Sequence, residues 1–175
     1  TVSSPSDDAS VAVSCYRLNV SKTANPTLTR TWNWNITKDV NTSVVNLFED
    51  GSATLSYTVT VSSGGYVDSN RAATGSITVN NPAPMAALVS SLTDVVPGAT
   101  AVITGTGCTV APYTVPAKGS LTCTYSATGF STGATVTNKA TAIAYDKVFT
   151  GTADVNFGQA VITPINPTVS VTDTN

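Results

Sequence analysis

Apolar and polar residues alternate strictly in one stretch of the chain, residues 54–61. Hydroxyl side chains occupy its even positions, and its odd positions are Leu55, Tyr57, Val59 and Val61. Successive side chains of a β-strand point to opposite faces, so the pattern predicts a strand with one face on a core and one in water. Similar alternation recurs at 28–38, 76–80, 121–125 and 153–157. No stretch has the periodicity of an amphipathic helix, and the chain is therefore predicted to be all-β.

Turn signals divide the chain into five predicted segments. They are a polar N-terminal arm at 1–10, a first β-sandwich module at 11–80, a linker at 81–85, a second module at 86–158 and an extended tail at 159–175. The linker is placed where Pro82 and Pro84 would interrupt a strand ladder. Short strands with turns at such intervals are typical of antiparallel β-sandwiches.

A short internal repeat supports the two modules. Asn81-Pro82 precedes the stretch 89–94, and Asn166-Pro167 precedes the similar stretch 169–173. The tail therefore looks like the first strand of a further module, cut off from the rest of it. Since a lone strand is unstable, the tail is expected to be disordered, to fold back on its own chain or to pair with another copy. The residues of this predicted assembly strand are Val161, Ile162, Ile165, Val169 and Val171.

Five strand and turn patterns cover most of residues 15–157. They lie at 51–61, 77–82, 92–96, 121–125 and 136–141. Together they resemble the tandem immunoglobulin-like repeats of large bacterial surface proteins. The resemblance implies two antiparallel immunoglobulin-like β-sandwich modules in tandem, as part of a stalk, adhesin or wall-associated protein. It concerns architecture alone, because a fold does not define a function.

Composition narrows the classes of function. The chain has 175 residues, of which 41% are hydrophobic and only 10% are charged, and its net charge is −2. Its eight scattered basic residues do not form the cationic surface that a nucleic-acid partner requires. No apolar run is long enough for membrane insertion as a helix. The low charge and the many Ser and Thr residues favour an extracellular or cell-surface location.

The sequence contains no recognisable catalytic or metal-binding motif. It has no histidine, which excludes the Ser-His-Asp and Cys-His mechanisms and histidine-based zinc sites. Glu49 is the only glutamate, and no glycine-rich nucleotide-binding motif occurs. The aspartates do not form a dense calcium loop. The prediction is a non-enzymatic protein with no catalytic residues, no metal and no cofactor.

The three cysteines predict one disulfide. Cys108 and Cys123 lie on neighbouring strands of one predicted hairpin, at a separation that can bring their Cα atoms within bonding distance. Two buried, reduced thiols are the alternative. Cys15 is left over, and it is expected to be a buried small side chain or, alternatively, an intermolecular bridge.

The stretch 30–36 contains both tryptophans of the chain and allows two interpretations. Trp32 and Trp34 share a strand face with Leu28 and Ile36, and such an apolar stripe favours a place in the core. Exposed aromatic rings can instead form a platform for sugars. The second interpretation makes Trp32 and Trp34 candidate ligand-binding residues.

Two lysines and an asparagine continue the apolar faces of predicted strands. Lys22 and Lys38 do so at strand ends, and Asn81 follows Ile77 and Val79. A buried lysine beside an asparagine and a carboxylate can form an intramolecular isopeptide bond, if an apolar site lowers the lysine pKa and keeps the carboxylate protonated. Alternatively, the lysines extend their ammonium groups into solvent.

Two hypotheses for the function follow. The first is a non-enzymatic extracellular structural module, a spacer or assembly subunit of a surface protein or filament, joined head-to-tail by β-strand addition. Its partners would be other copies of itself or adjacent modules of a longer chain. The alternative is an adhesin or lectin-like domain that binds a glycan or host ligand through loops or through Trp32 and Trp34.

Overall fold

A computed structural model describes residues 11–173 of the chain. The first strands are β1 (Asn19–Lys22), β2 (Asn25–Val40), β3 (Tyr57–Asn81), β4 (Ala87–Val89), β5 (Ser91–Val95) and β6 (Thr100–Thr104). They are followed by β7 (Tyr113–Val115), β8 (Gly119–Thr128), β9 (Val136–Ala144), β10 (Lys147–Val155), a short 3₁₀ helix (Phe157–Gln159) and β11 (Val161–Ile165). The prediction of an all-β chain is confirmed. No helix in this range is long and apolar enough to cross a membrane.

The strands form three sheets. The largest has the order β11-β2-β3-β8-β6, with β1 also paired to β3. The second has the order β10-β9-β5, and the third is the small pair β4-β7. Every pair is antiparallel except β11 with β2, which is parallel.

The larger hydrophobic core of the described residues lies between the six-stranded and the three-stranded sheet, and a smaller one contains Leu28, Ala73, Val155 and Phe157. Alternate residues of the strands that flank the larger core point into it, as the period of two requires. The six-stranded sheet contributes Leu18 just before β1 together with Val20, Ile77, Val79, Cys123, Tyr125 and Ala127. The three-stranded sheet contributes Leu92, Ala140, Ala142 and Ala144. The small alanines allow the two sheets to approach closely.

This core crosses the predicted boundary between two modules. β3 belongs to the predicted first module and β8 to the second, yet they pair continuously from Ala72 opposite Thr128 to Asn81 opposite Gly119. The predicted linker is a tight bend, held by the buried side chain of Asn81. The division into two immunoglobulin-like sandwiches is therefore not confirmed. Alternation shows which face of a strand is apolar, but it does not show which strand is the neighbour.

The hairpin of β2 and β3 is longer than the sandwich that holds its base. Leu28 and Ala73 are buried near the base, but no residue from 31 to 66 is buried. We call residues 31–66 the projecting hairpin. The prediction that Leu55, Tyr57, Val59 and Val61 lie on a core is wrong, because each remains at least 37% exposed. The alternation there marks a continuous apolar face, and the described residues do not bury it.

The C-terminal segment, residues 161–173, folds back along the hairpin. β11 pairs with β2 from Val161 opposite Thr27 to Ile165 opposite Thr31. Of the three fates predicted for the tail, the structure contains the second, pairing with its own chain. The predicted arm at 1–10 lies outside the described residues.

Candidate functional site

A lysine side chain is completely buried between the two large sheets. Lys22 is the last residue of β1, and its Nζ lies 2.8 Å from Oδ1 of Asp94 on β5. The side chains are 0% and 1% exposed, respectively. Because β1 belongs to the six-stranded sheet and β5 to the three-stranded one, the ion pair connects the two layers of the sandwich.

The same carboxylate also contacts a buried asparagine. Asn138 of β9 is 0% exposed, and its Nδ2 donates to Oδ2 of Asp94 at 3.4 Å. Asn138 takes the inward position two residues before Ala140, where an apolar side chain would be typical. Each oxygen of Asp94 thus contacts a different polar group.

The ring of Tyr125 completes this group, which we call the lysine cluster: Lys22, Asp94, Asn138 and Tyr125. Lys22 Nζ lies 3.3 Å from the ring centroid, where the negative face of the ring attracts a cation. The Tyr125 hydroxyl donates to the backbone oxygen of Thr23 at 2.9 Å, which fixes the orientation of the ring.

The polar atoms of the lysine cluster are not all satisfied. Asn138 Oδ1 has no hydrogen-bond partner among the described residues. Lys22 Nζ and Asp94 Oδ1 are close, but their angles are not those of a hydrogen bond. Buried polar atoms are nearly always hydrogen-bonded, and leaving one unpaired destabilises the fold. A contribution to the stability of the fold therefore does not by itself explain the lysine cluster.

Burial changes the acidity of two groups in the lysine cluster. It lowers the pKa of the Lys22 ammonium, and the contacts with Asp94 offset part of that effect. Burial also raises the pKa of the Tyr125 hydroxyl; contact with Asn138 opposes that change, and the charge of Asp94 adds to it. Deprotonation of Lys22 to the neutral amine consequently costs less free energy than deprotonation of an exposed lysine.

The other two candidates for an isopeptide bond lie elsewhere. Lys38 is on the projecting hairpin, in an exposed ion pair with Asp173 at 2.7 Å. Asn81 is buried, but its Nδ2 donates to the backbone oxygens of Met85 at 2.8 Å and Pro116 at 3.0 Å. Its Oδ1 accepts from the backbone N–H of Ala83, so this side chain stabilises the bend instead.

The sequence analysis missed Asp94 and Asn138, although each carried a signal. Asp94 lies between Leu92 and Val96 on one strand face, and Asn138 lies between Val136 and Ala140. A polar residue within an apolar face is unusual, and two such residues predict a buried contact. The pattern does not show that Asp94 contacts both Lys22 and Asn138, because the contact with Lys22 depends on how the sheets are stacked.

Close packing at Gly75 makes room for the Tyr125 ring. Gly75 lies directly opposite Tyr125 in the ladder between β3 and β8. A Cβ at this position would overlap the backbone oxygen of Thr23 and lie 2.8 Å from a ring carbon of Tyr125. The absence of a side chain at Gly75 therefore lets the ring lie flat against β3.

Replacing Gly75 with alanine should lower the free energy of unfolding by about 1–3 kcal/mol, because overpacking forces backbone or ring to shift. Urea denaturation measures the change. Gly133→Ala is the matched control, since its Cβ would have only ordinary contacts with Arg71, the nearest at 3.5 Å. Equal stability of the two variants would show that Tyr125 is not packed on Gly75.

The predicted disulfide between Cys108 and Cys123 is confirmed. The sulfur atoms are bonded, and both residues are buried in the core. Cys15 is exposed, so its interpretation as a buried small side chain is wrong. The first strand begins only at Asn19, so Cys15 precedes it and lies on no sheet face.

The two tryptophans lie on the projecting hairpin and are half-buried. Trp32 contacts the ring of Tyr66 edge-on, with centroids 5.1 Å apart. Trp34 donates from Nε1 to the backbone oxygen of Asn166 at 2.9 Å. Their interpretation as core residues is wrong, because β2 continues beyond the sandwich. Their partners are the neighbouring strand and the C-terminal segment.

A bidentate ion pair holds the base of the projecting hairpin. Arg30 donates from Nε and one terminal nitrogen to the two carboxylate oxygens of Asp68, at 2.7 and 2.9 Å. The guanidinium also lies 3.8 Å from the centroid of the Tyr66 ring. These hydrogen bonds lower the pKa of Asp68, and the positive charge of Arg30 acts in the same direction.

Acid should weaken this ion pair in a defined range. The folded-state pKa of Asp68 is lowered, so the pair contributes fully above the unfolded value of about 3.9 and is lost as the pH falls through the folded one. The melting-temperature difference between wild type and Asp68→Asn should be constant from about pH 7 to 5 and shrink below about pH 4. A difference unchanged down to pH 2 would contradict this role.

The projecting hairpin presents a continuous apolar surface. Its exposed members include Ile36, Val40, Leu55, Tyr57, Val59 and Val61. The connection between the strands adds Leu47 and Phe48, and Phe48 is 96% exposed. Contiguous apolar surface of this kind usually marks an interaction site.

Neither a metal site nor a known family accounts for these features. Among residues 11–173, no group of three or more histidine, cysteine or acidic side chains is arranged to hold a metal ion. The sequence matches no protein-family model, and no curated protein shows significant similarity to it. The chain is described by its architecture: an all-β, disulfide-bonded fold with a projecting hairpin.

Proposed function

We propose that the protein is a non-enzymatic structural module of an extracellular surface protein or filament, and that its copies join head-to-tail by exchange of the C-terminal strand. One observation carries the proposal: β11 is an edge strand, held to the outer edge of β2 by a short parallel ladder. A segment attached in this way can be supplied by a neighbouring copy with the same contacts.

The contacts of the C-terminal segment suit such an exchange. Beyond the five-residue ladder, they include one hydrogen bond from the half-buried Trp34 and one exposed ion pair with Lys38. Val161, Ile162 and Ile165 remain 41–70% exposed in the folded-back position. Few contacts are therefore broken when the segment leaves its own hairpin, and the same contacts form on the next one.

The projecting hairpin gives the exchanged strand a place to bind. It extends the edge of β2 beyond the sandwich, and Trp34 and Lys38 on this strand contact the C-terminal segment. Because the donor segment and the acceptor edge are different surfaces, the contact is heterologous. A heterologous contact that does not close into a ring continues into a filament.

The disulfide supports an extracellular location. Cys108 and Cys123 lie in the core, and disulfides persist mainly in oxidising compartments. The low charge of the chain is compatible with this location. A glycan-binding role for Trp32 and Trp34 is not proposed, because Tyr66 and Asn166 already contact these rings.

The experiment compares the mass in solution of three samples by light scattering at rising concentration. They are the full chain, a chain ending at Gln159, and that shortened chain with a synthetic peptide of residues 160–173. The peptide covers the edge of β2, so it controls for artificial association through an exposed strand. We expect the full chain to associate and the peptide-covered chain to remain a monomer. Equal association of these two samples would contradict strand exchange.

A further inference from the structure

The lysine cluster combines three polar side chains in the core between the two large sheets. Val20 and Ala140, which neighbour Lys22 and Asn138 on their strands, are buried in the apolar core. A charged pair in such a site is stabilised only if its remaining hydrogen bonds are made, and here some are not. This arrangement is better explained by residues that react with one another than by an ion pair that stabilises the fold.

We propose that Lys22 and Asn138 are joined by an intramolecular isopeptide bond, formed by the chain itself with Asp94 moving the protons. The geometry is the reason for this choice of residues. Oδ1 of Asp94 contacts the amine, and Oδ2 contacts the side-chain amide. One carboxyl group can therefore take a proton from the attacking nitrogen and give it to the leaving nitrogen.

The reaction needs no other reagent. Lys22 first transfers a proton to Asp94, which leaves a neutral amine and a protonated carboxyl group. The lone pair of Nζ then attacks Cγ of Asn138, a C–N bond forms, and the carbonyl electron pair moves to Oδ1. Asp94 relays a proton from Nζ to Nδ2, the bond between Cγ and Nδ2 breaks, and ammonia leaves. The products are a secondary amide, ammonia and a protonated Asp94, with no change of oxidation state.

The surroundings favour each step. The burial that lowers the pKa of Lys22 favours the neutral amine, which is the form that attacks. Asn138 Nδ2, the nitrogen that leaves, is the atom that contacts Asp94, while Oδ1 has no hydrogen-bond partner among the described residues.

The bond would tie the two layers of the sandwich together. Lys22 lies on β1 of the six-stranded sheet and Asn138 on β9 of the three-stranded one. A force that pulls β1 away from the core would then act on a covalent bond instead of on side-chain packing. This inference does not depend on strand exchange, and either can fail while the other stands.

Mass spectrometry of the full-length chain tests the proposal. After reduction and denaturation, we expect an intact mass lower than the sequence mass by one ammonia. A cyclised asparagine would lose the same mass, so a trypsin digest must also contain one branched peptide that links Lys22 to Asn138. An intact mass equal to the sequence mass, or a linear peptide carrying Asn138, would overturn the proposal.

Variants assign the roles of the three residues. Lys22→Met, Asn138→Ala and Asp94→Ala should each have the full sequence mass, while Lys38→Met, which changes an exposed lysine, should still lack one ammonia. The masses are measured on denatured protein, so a variant that fails to fold can still be measured. Gly75→Ala is the comparison for such a variant, because it perturbs the same site and keeps Lys22, Asp94 and Asn138. Retention of the ammonia deficit in Asp94→Ala would contradict the role of Asp94.

Discussion

Replacing Asp94 with alanine will lower the free energy of unfolding by about 3–5 kcal/mol, the usual cost of removing one partner from a buried ion pair. Lys22 would be left in the core without a counter-charge, and Asn138 would lose its acceptor. If the isopeptide bond forms, the variant also lacks the cross-link, and the loss moves in the same direction. Urea unfolding, followed by circular dichroism, measures the change.

The matched control is Asp154→Ala. Asp154 lies on β10, in the same sheet as Asp94, but it is exposed, and its carboxylate accepts a hydrogen bond from the Thr137 hydroxyl. Its replacement should change stability by no more than about 0.5 kcal/mol. An equally small effect at Asp94 would show that the carboxylate does not compensate a buried lysine.

A double variant separates an ion pair from a covalent bond. Replacing Lys22 with methionine and Asp94 with leucine removes both charges and fills the space of the ion pair with apolar side chains. A buried ion pair replaced in this way usually loses little stability, or none. If Lys22 carries an isopeptide bond, the double variant should instead stay well below the wild type, because no apolar contact replaces the cross-link.

The second large effect concerns the disulfide. Replacing Cys108 and Cys123 together by alanine should lower the free energy of unfolding by about 3 kcal/mol, the chain-entropy value for a loop of this size. The two cysteines are 15 positions apart. Their burial adds the loss of sulfur packing in the core. Urea unfolding with and without a reducing agent measures both contributions.

Cys15→Ser is the control for this experiment. Cys15 is exposed, so its replacement should leave the unfolding curve unchanged. A reducing agent should destabilise the wild type and Cys15→Ser equally, and it should have no effect on the double alanine variant. A double variant as stable as the wild type would mean that the bond does not constrain the fold.

The sequence predicted features that depend on neighbouring positions along the chain. Alternation identified the strands around Ile77 and Cys123, and the spacing of the cysteines within one hairpin predicted their bond. These inferences succeed because strand direction, side-chain period and hairpin pairing are local properties.

Features that depend on distant positions were predicted poorly. The apolar face from Leu55 to Val61 satisfies the pattern of a core strand, yet it lies on the projecting hairpin. The bend at Asn81 contains two prolines and was interpreted as a linker, although a buried amide holds it. In both cases, the period and composition of the sequence do not show which residues lie opposite the segment in the fold.

The lysine cluster shows the same limit. Lys22 was a candidate from its place at the end of an apolar face, but its predicted partner Asn81 lies near the opposite end of β1. Asp94 reaches Lys22 from another sheet and also contacts Asn138, through stacking that no local pattern determines. Polar residues at inward positions were the available signal.

Exchange of the C-terminal strand is the central claim about function, and cysteine cross-linking tests it most directly. In the parallel ladder, Thr163 of β11 is the partner of Thr29 on β2; Thr163 is exposed and Thr29 is half-buried. Adjacent strands lie about 4.8 Å apart, close enough for a disulfide. All chains carry Cys15→Ser, and Thr29→Cys and Thr163→Cys are placed in separate chains that are mixed and oxidised.

A chain with both substitutions, oxidised at high dilution, verifies the register by cross-linking within itself. The account predicts that the mixed single variants form a covalent heterodimer, because the strand of one chain occupies the edge of the other. Thr152→Cys, at an exposed site on β10, replaces Thr163→Cys in the control mixture. If the double variant cross-links internally but the mixed chains give no more heterodimer than this control, the C-terminal strand stays on its own hairpin and the central claim is wrong.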